Sequence, residues 1–365
     1  MALNPPSAND LPATAGRASP SRRSISASVL VVAVLVAAGV SIGATAVYFQ
    51  LHPSGPSVSG SSVTVVDDLG RAVTAPANAQ RVVVLAPSIF DIVYRLGLRD
   101  RVVGVGCTPT ISGGILNEYS PNQTGLWTLT NASCITDFPS LDTEKVANLS
   151  TTLVLASTIT SQAAVDQLTN SYRIPVVLLA PSTLGGIVSD VRIVSALFPS
   201  SAPASTLVES ELDGVLANAS TIDTNLSNSN VSAPTVLLSY YFDTAGYYTY
   251  GAGSFGASLI DLAGGANVAA SVGLVYAEMN ASAVLNDNPA VVLYGTSWND
   301  PYLVSHETPS VWTTAPYWNQ LTGKLIPVDI VSVTEPGPGM ILELPWLLHW
   351  LHPTVVPAPA APWVA

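Results

Sequence analysis

Short runs of β-branched residues recur along the chain, each closed by a loop with Pro, Ser, Thr or Cys and followed by helical spacing: 82–86 (VVVLA), 102–106 (VVGVG), 153–156 (LVLA) and 176–180 (VVLLA). A strand that is apolar on both sides has no solvent face, so such runs belong to parallel sheets covered by helices on both faces. Residues 63–182 are therefore expected to form one α/β lobe. Between 183 and 230 the texture changes: Leu184, Ile187, Val188, Val191, Val194 and Leu197, then Leu207, Leu212, Val215 and Leu216, fall at helical spacing, with Pro199 and Pro203 interrupting. These helices join the first lobe to a second α/β series over 231–353, with strands expected at 235–239, 291–294 and 325–328 and helices at 255–263 and 340–351. A Pro/Ala-rich tail, 354–365, is expected to lie outside the fold.

Charge adds topology. The first 24 residues carry Arg17, Arg22 and Arg23 against Asp10, the remainder carries 9 basic and 23 acidic side chains, and no charged residue stands between Arg23 and Asp67. Residues 25–49 (ISASVLVVAVLVAAGVSIGATAVYF) are apolar and long enough to cross a bilayer as a helix, since about 20 residues suffice. The preceding arginines orient residues 1–24 inside and the acidic bulk outside. The run exceeds the usual signal-peptide core, so it reads as an uncleaved anchor. Cleavage after Ala44-Thr45-Ala46 and a twin-arginine signal at Arg22-Arg23 are the alternatives, and all three export the chain. Residues 50–62, rich in Pro, Gly and Ser, read as a flexible tether. Nucleic acid is excluded as a partner because the bases do not cluster.

An exterior location agrees with seven N-x-[ST] sequons, at Asn122, Asn131, Asn148, Asn218, Asn225, Asn230 and Asn280, each a possible glycan acceptor. The two cysteines, Cys107 and Cys134, form an even pair in an oxidising compartment and are expected to be joined as a disulfide.

The stretch 63–86 (VTVVDDLGRAVTAPANAQRVVVLA) with Pro87-Ser88 and 92–97 (IVYRLG) resembles the opening of the extracytoplasmic solute-binding proteins for vitamin B12, haem and iron siderophores. Residues 100–106 (DRVVGVG), 249–269 (TYGAGSFGASLIDLAGGANVA) and 347–353 (LLHWLHP) resemble later parts of that family in the same order. The resemblance implies two α/β lobes bridged by a long rigid helix, a ligand held between them, and a monomer that delivers a metal chelate to an ABC permease. It implies neither catalysis nor a resident cofactor.

In an open α/β sheet, ligands sit beyond the carboxyl ends of the strands. That rule selects Pro87, Ser88, Cys107, Thr108 and Ser157 in the first lobe, with Trp127 in an overhanging insertion. In the second it selects Tyr240, Tyr241, Phe242, Tyr248, Trp298 and Glu335, and the resemblance adds Tyr276 as an aromatic facing the cleft. Six aromatics between Tyr240 and Tyr250 offer flat faces with hydroxyl tips, suited to a large ring-bearing ligand. Beyond residue 192 the chain has no arginine and one lysine, Lys324, so guanidinium clamping of an anion is unavailable there. A corrinoid or a neutral ferric hydroxamate siderophore therefore fits better than haem propionates. Capture of a bare metal ion would need several converging His, Asp or Glu; of four histidines only His306 stands in a suitable loop. Gly251-x-Gly253-x-x-Gly256 matches the dinucleotide-binding letters but has no acidic partner about 20 residues on. A glycosylated surface or adhesion protein with the same fold is the reading from another class.

In the family, one glutamate per lobe docks on the permease, seven residues before the dipeptide that opens a strand. Glu144 stands in that place in the first lobe. In the second the position is Ser282, and Glu278 would substitute if the helix there started earlier.

Overall fold

A computed structural model describes residues 62–107, 132–137, 140–296, 312–329, 333 and 335–360. The expected anchor, the tether up to residue 61, Thr108, Trp127, Trp298, His306 and the sequons at Asn122 and Asn131 lie outside the described residues, while Ser62, expected to end the tether, already belongs to a strand. Among the described residues no helix is long and apolar enough to cross a membrane.

The chain enters on an antiparallel hairpin, β1 (Ser62–Val66) and β2 (Ala72–Pro76). Its tip is organised by Asp67, whose carboxylate accepts from the backbone of Leu69 and Arg71 and pairs with the Arg71 guanidinium at 2.5 Å. The same carboxylate accepts the Leu178 amide, which fastens the hairpin to the first lobe.

The first lobe has five strands: β3 (Val82–Val84), β4 (Val102–Cys107), β5 (Ser133–Thr136), β6 (Leu153–Ala156) and β7 (Val176–Leu178). They lie in the order β5-β4-β3-β6-β7, and every pairing is parallel. The three connecting helices described are α1 (Pro87–Arg95), α2 (Thr143–Asn148) and α3 (Gln162–Asp166). Asp142 caps α2 through the Lys145 amide, and Ser161 caps α3 through that of Ala164.

Two helices leave this lobe. The first, α4 (Leu184–Leu197), is capped by Thr183 and buries Leu184, Ile187, Val188, Val191, Val194 and Leu197, the spacing read from the sequence. The second, α5 (Ala202–Asn228), has 27 residues and is about 40 Å long.

The second lobe carries β8 (Thr235–Phe242), β9 (Gly246–Tyr250), β10 (Ala266–Asn267), β11 (Tyr276–Asn280), β12 (Val291–Thr296) and β13 (Lys324–Asp329). Its path runs β11-β9-β8-β12-β13, with β10 also paired to β8. The pairings of β8 with β12 and β12 with β13 are parallel, but β9 is antiparallel to both β8 and β11. This sheet is therefore mixed, where the apolar runs imply parallel strands only. The cause is a tight turn: Asp243 accepts from the amides of Ala245 and Gly246 and folds the chain straight back. Helices α6 (Phe255–Leu262) and α7 (Ala281–Asp287) complete the lobe, and α8 (Pro338–Leu342) and α9 (Leu344–Leu351) close the chain. The single helix expected over 340–351 is thus divided at Glu343.

One apolar cluster runs from Val82, Ile89 and Phe90 in the first lobe through Val191 and Leu212 of the joining helices to Leu238, Ile260, Leu344 and Leu348. The outer sheet faces have clusters of their own, around Ile135 and Leu168 in the first lobe and Trp312 and Trp318 in the second. The tail belongs to this core at its start. Val356 is buried, and its carbonyl meets His349 Nδ1 at 2.8 Å, so packing continues past the point where composition suggests release.

One side chain in α4 breaks the apolar rule. Asp190 is 2% exposed, hydrogen-bonds the Asp68 carboxyl at the hairpin tip, and leaves Oδ1 without a partner. Burial, then the neighbouring Asp68, pushes its acid up to about 9, so the folded protein keeps a proton that the unfolded chain releases near its ordinary carboxylate range. The folded state binds the extra proton between these limits, so stability falls as pH rises through that window. Asp190→Asn should remove the slope: thermal unfolding is expected to show a gain of several degrees over wild type at about pH 8, and a much smaller gain at about pH 5.

Candidate ligand-binding site

In the first lobe β4 and β5 lie on one side of β3 and β6 and β7 on the other, so successive connections reverse direction at β3 and β6. A crevice opens beyond the carboxyl ends of strands where such a reversal occurs. The residues there are Pro87 and Ser88 after β3 and Ser157 after β6. Ser157 is half-buried and shapes a turn through the Thr160 and Ile159 amides, leaving Ile159 84% exposed. Sequence reasoning named the polar residues of this loop and passed over its one large apolar side chain.

Pro87 and Ser88 do not line open space. Both are buried in the first turn of α1, against the loop that leads into α8. A Cβ on Gly337 would lie 3.0 Å from the Ser88 Cα and carbonyl oxygen, tight enough that the backbone would have to give by a few tenths of an ångström. One turn along, Asp91 accepts from the Gly339 amide at 2.5 Å and from Arg95 Nε at 2.6 Å. Pro87 and Ser88 are thus part of a seam where α1 meets α8. Glu335, half-buried, starts the same seam, its carbonyl accepting from Gly337.

At the carboxyl ends of the second lobe's strands, three consecutive aromatics divide between two faces. Ser239 pairs with Thr249, but Tyr241 then pairs with Tyr248 and Phe242 with Tyr247, so β8 holds one extra residue in a bulge. The buried Ser239 hydroxyl bridges it, within hydrogen-bond reach of the carbonyls of Tyr241 and Tyr248. Simple alternation would place Tyr240 and Phe242 on one face and Tyr241 on the other. The bulge instead groups Tyr240 and Tyr241 with Tyr248 and Tyr250 of β9, at centroid distances of 5.0 Å for Tyr240–Tyr250 and 5.4 Å for Tyr241–Tyr248. Tyr276 of β11, opposite Tyr250, joins them 6.5 Å from Tyr240. Within this group Tyr241 is 58% and Tyr276 68% exposed.

Phe242 turns the other way. Its ring lies 5.0 Å from Trp312 in the outer cluster, with Tyr247, whose hydroxyl donates to the Pro316 carbonyl at 2.7 Å. Burial pushes the Tyr247 phenol up to about 12. The expectation that Phe242 lines the cleft is corrected on this ground: its register pairs it with a core tyrosine. The glycine-rich stretch is also structural, since a Cβ on Gly256 would lie 2.7 Å from the Tyr250 ring.

Carboxylates flank the tyrosine face. The Tyr248 hydroxyl donates to Asp243 Oδ2 at 3.1 Å, and that bond, with the nearby Glu278 charge as a smaller cause, raises the phenol above its ordinary value. Glu278 stands directly opposite Tyr248 on β11. It is not a helix residue: Asn280 caps α7 by accepting the Ser282 amide, so the helix begins at Ala281, and the premise for Glu278 as a docking glutamate does not hold. Glu144 does occupy the first turn of α2 and is exposed. Among the described residues no group of three or more His, Cys, Asp or Glu could hold a metal ion.

A model of the periplasmic binding protein family matches residues 82–310. The chain belongs to that family. A cobalamin-binding protein of Halobacterium salinarum is 25% identical over 343 residues, covering 89% of this chain and 85% of its own length. The fold of this periplasmic binding protein is shared with solved structures at lower identity. A TroA-like periplasmic binding protein, FepB, from Veillonella parvula superposes with a TM-score of 0.63 at 12% identity, covering 81% of this chain and 91% of that one. The periplasmic vitamin B12 binding protein BtuF of Vibrio cholerae gives 0.56 at 16%, covering 76% and 98%. The periplasmic haem-binding protein RhuT from Roseiflexus gives 0.57 at 20%, covering 75% and 98%.

The seam between α1 and α8 is open to direct test. Gly337→Ala puts a methyl against backbone and should destabilise the protein by about 1–3 kcal/mol, read as a lower denaturant midpoint with an unchanged slope.

Proposed function

We propose that this protein is an exported solute-binding protein that takes up a corrinoid, or a neutral ferric hydroxamate siderophore, and delivers it to an ABC permease. The observation that carries the reading is the tyrosine face of Tyr240, Tyr241, Tyr248 and Tyr276 on the second lobe's sheet, on which Tyr241 and Tyr276 are exposed and Tyr240 and Tyr248 half-buried. Flat phenol rings with polar tips suit the edge or face of a macrocycle surrounded by amides. The absence of arginine beyond residue 192 favours an uncharged chelate over one that carries propionates. The cobalamin-binding relative in Halobacterium salinarum supports the corrinoid as first choice. Ser157 and Ile159 are the first-lobe contacts in this reading, Glu335 stands at the seam, and Cys107, Thr108, Trp127 and Trp298 are kept as contacts on the sequence alone.

In the same reading, residues 25–49 tether the folded part to the outer membrane face. Cys107 and Cys134 are joined, for which the support is that β4 and β5 are neighbours and the Cys134 thiol is not free. The sequon asparagines Asn148, Asn218, Asn225, Asn230 and Asn280 are all exposed, as glycan acceptors must be. Glu144 is the permease contact of the first lobe.

Titrating the purified chain with cyanocobalamin and following Trp fluorescence should give a dissociation constant below about 1 μM, an affinity of about 8 kcal/mol. Tight binding of free Zn²⁺ or Mn²⁺ with no response to corrinoid or ferric hydroxamate would overturn the reading. Glu144→Ala should leave that affinity unchanged while lowering uptake into vesicles that hold the permease by about tenfold or more, because a desolvated interfacial charge pair is lost. Uptake at the wild-type rate would remove Glu144 from the docking surface.

A further inference from the structure

We propose that Glu278, supported by Asp243, is a charge filter on the tyrosine face and selects ligands whose periphery is amidated or otherwise uncharged over those bearing a peripheral carboxylate. The inference rests on the ligand reading above and assigns to Glu278 a task other than docking.

Geometry brings the parts together. In the antiparallel pairing of β11 with β9, Tyr276 stands opposite Tyr250 and Glu278 opposite Tyr248. Residues two apart on a strand share a face, as do residues directly opposite across a pair. Tyr276, Glu278, Tyr248 and Tyr250 therefore belong to one surface, onto which the bulge in β8 brings Tyr240 and Tyr241. The other face holds Met279 opposite Tyr247, both buried in the outer cluster. Glu278 is exposed on the tyrosine side, and its charge is felt at Tyr248.

Asp243 completes the arrangement. It is fixed by the amides of Ala245 and Gly246, which hold its carboxyl below the usual range, and it accepts the Tyr248 hydroxyl. A ligand lying on these rings meets two carboxylates about the same phenol. The second lobe's one lysine, Lys324, pairs with Val291 at the amino ends of β13 and β12, whereas Tyr241, Tyr248 and Glu278 stand level with the carboxyl end of β8, two to four strands away across the sheet. A carboxylate added to the ligand edge thus meets like charge, with no lysine or arginine on this sheet other than Lys324 to offset it. At partly solvated separations that costs enough to shift affinity several-fold, and salt weakens the effect.

Cyanocobalamin and its monocarboxylic acid derivatives, in which one peripheral amide has been hydrolysed, differ in charge with little change of shape. The full chain should bind the amide form about fivefold or more tightly than the acid at low salt, with the ratio shrinking as salt is added. Glu278→Gln should reduce the ratio to about twofold and Glu278→Lys should invert it, whereas Asp287→Asn, at the far end of α7, should leave it unchanged. Wild-type protein that binds cyanocobalamin with a ratio unmoved by either Glu278 substitution would overturn the filter and leave the corrinoid reading standing. Wild-type protein that binds neither form would overturn both.

Discussion

The carboxylate of Asp91 sits where the two ends of the folded chain meet, and much of the architecture depends on its being satisfied. It is 4% exposed, so its charge requires partners, and it finds them in Arg95 one turn along α1 and in the Gly339 amide at the start of α8. The second bond caps the helix that returns from the second lobe. Gly337 allows the backbones to close to contact at Ser88. Together with α5, which spans the middle of the molecule, this seam gives the lobes two separate mechanical links. Both links draw on one continuous apolar cluster, to which Ile89 of α1, Met340 of α8 and Leu344 of α9 belong.

On the proposed reading, a ligand is recognised by surfaces that the fold already presents. The placement of the aromatic rings then decides what that surface offers. The bulge at Tyr240 is the local device that makes the placement: it shifts the alternation of β8 by one residue, exposes Tyr241 beside Tyr248, and sends Phe242 into the outer core against Trp312. Because Ser239 bridges the irregularity from within, the pattern is held by a buried hydroxyl and not by the exposed rings themselves.

These facts explain which parts of the molecule could be read from its letters. The strands 82–84, 102–107, 153–156 and 176–178 were legible because burial on both faces leaves a continuous β-branched run, and α4 because its apolar spacing repeats over four turns. The strand Ser133–Thr136 escaped notice, since it lies at the edge of its sheet and only Ile135 is fully buried. The strands β9 and β11 escaped for a different reason: tyrosines on one face and Tyr247, Ala277 or Met279 on the other blur the apolar alternation. Pro87 and Ser88 were placed correctly at a switch point but assigned to the cleft, because sequence position does not reveal that a glycine some 250 residues later covers them.

The contrast between Glu278 and Asp91 carries the same lesson into electrostatics. Both are acids near the junction of strand and helix, and neither stands in a motif that separates structural from functional charge. Asp91 is buried, doubly bonded and unable to leave its partners, so its charge is consumed by the fold. Glu278 is exposed, faces a phenol whose hydroxyl is already committed to Asp243, and has no lysine or arginine on its sheet nearer than Lys324 at the opposite strand ends. An acid so placed keeps its field for whatever approaches the rings, which makes the tyrosine face apolar in contact and negative in potential. On the reading proposed above, that combination separates large chelates by the charge at the ligand's edge, a property that ring count and aromatic content alone do not register.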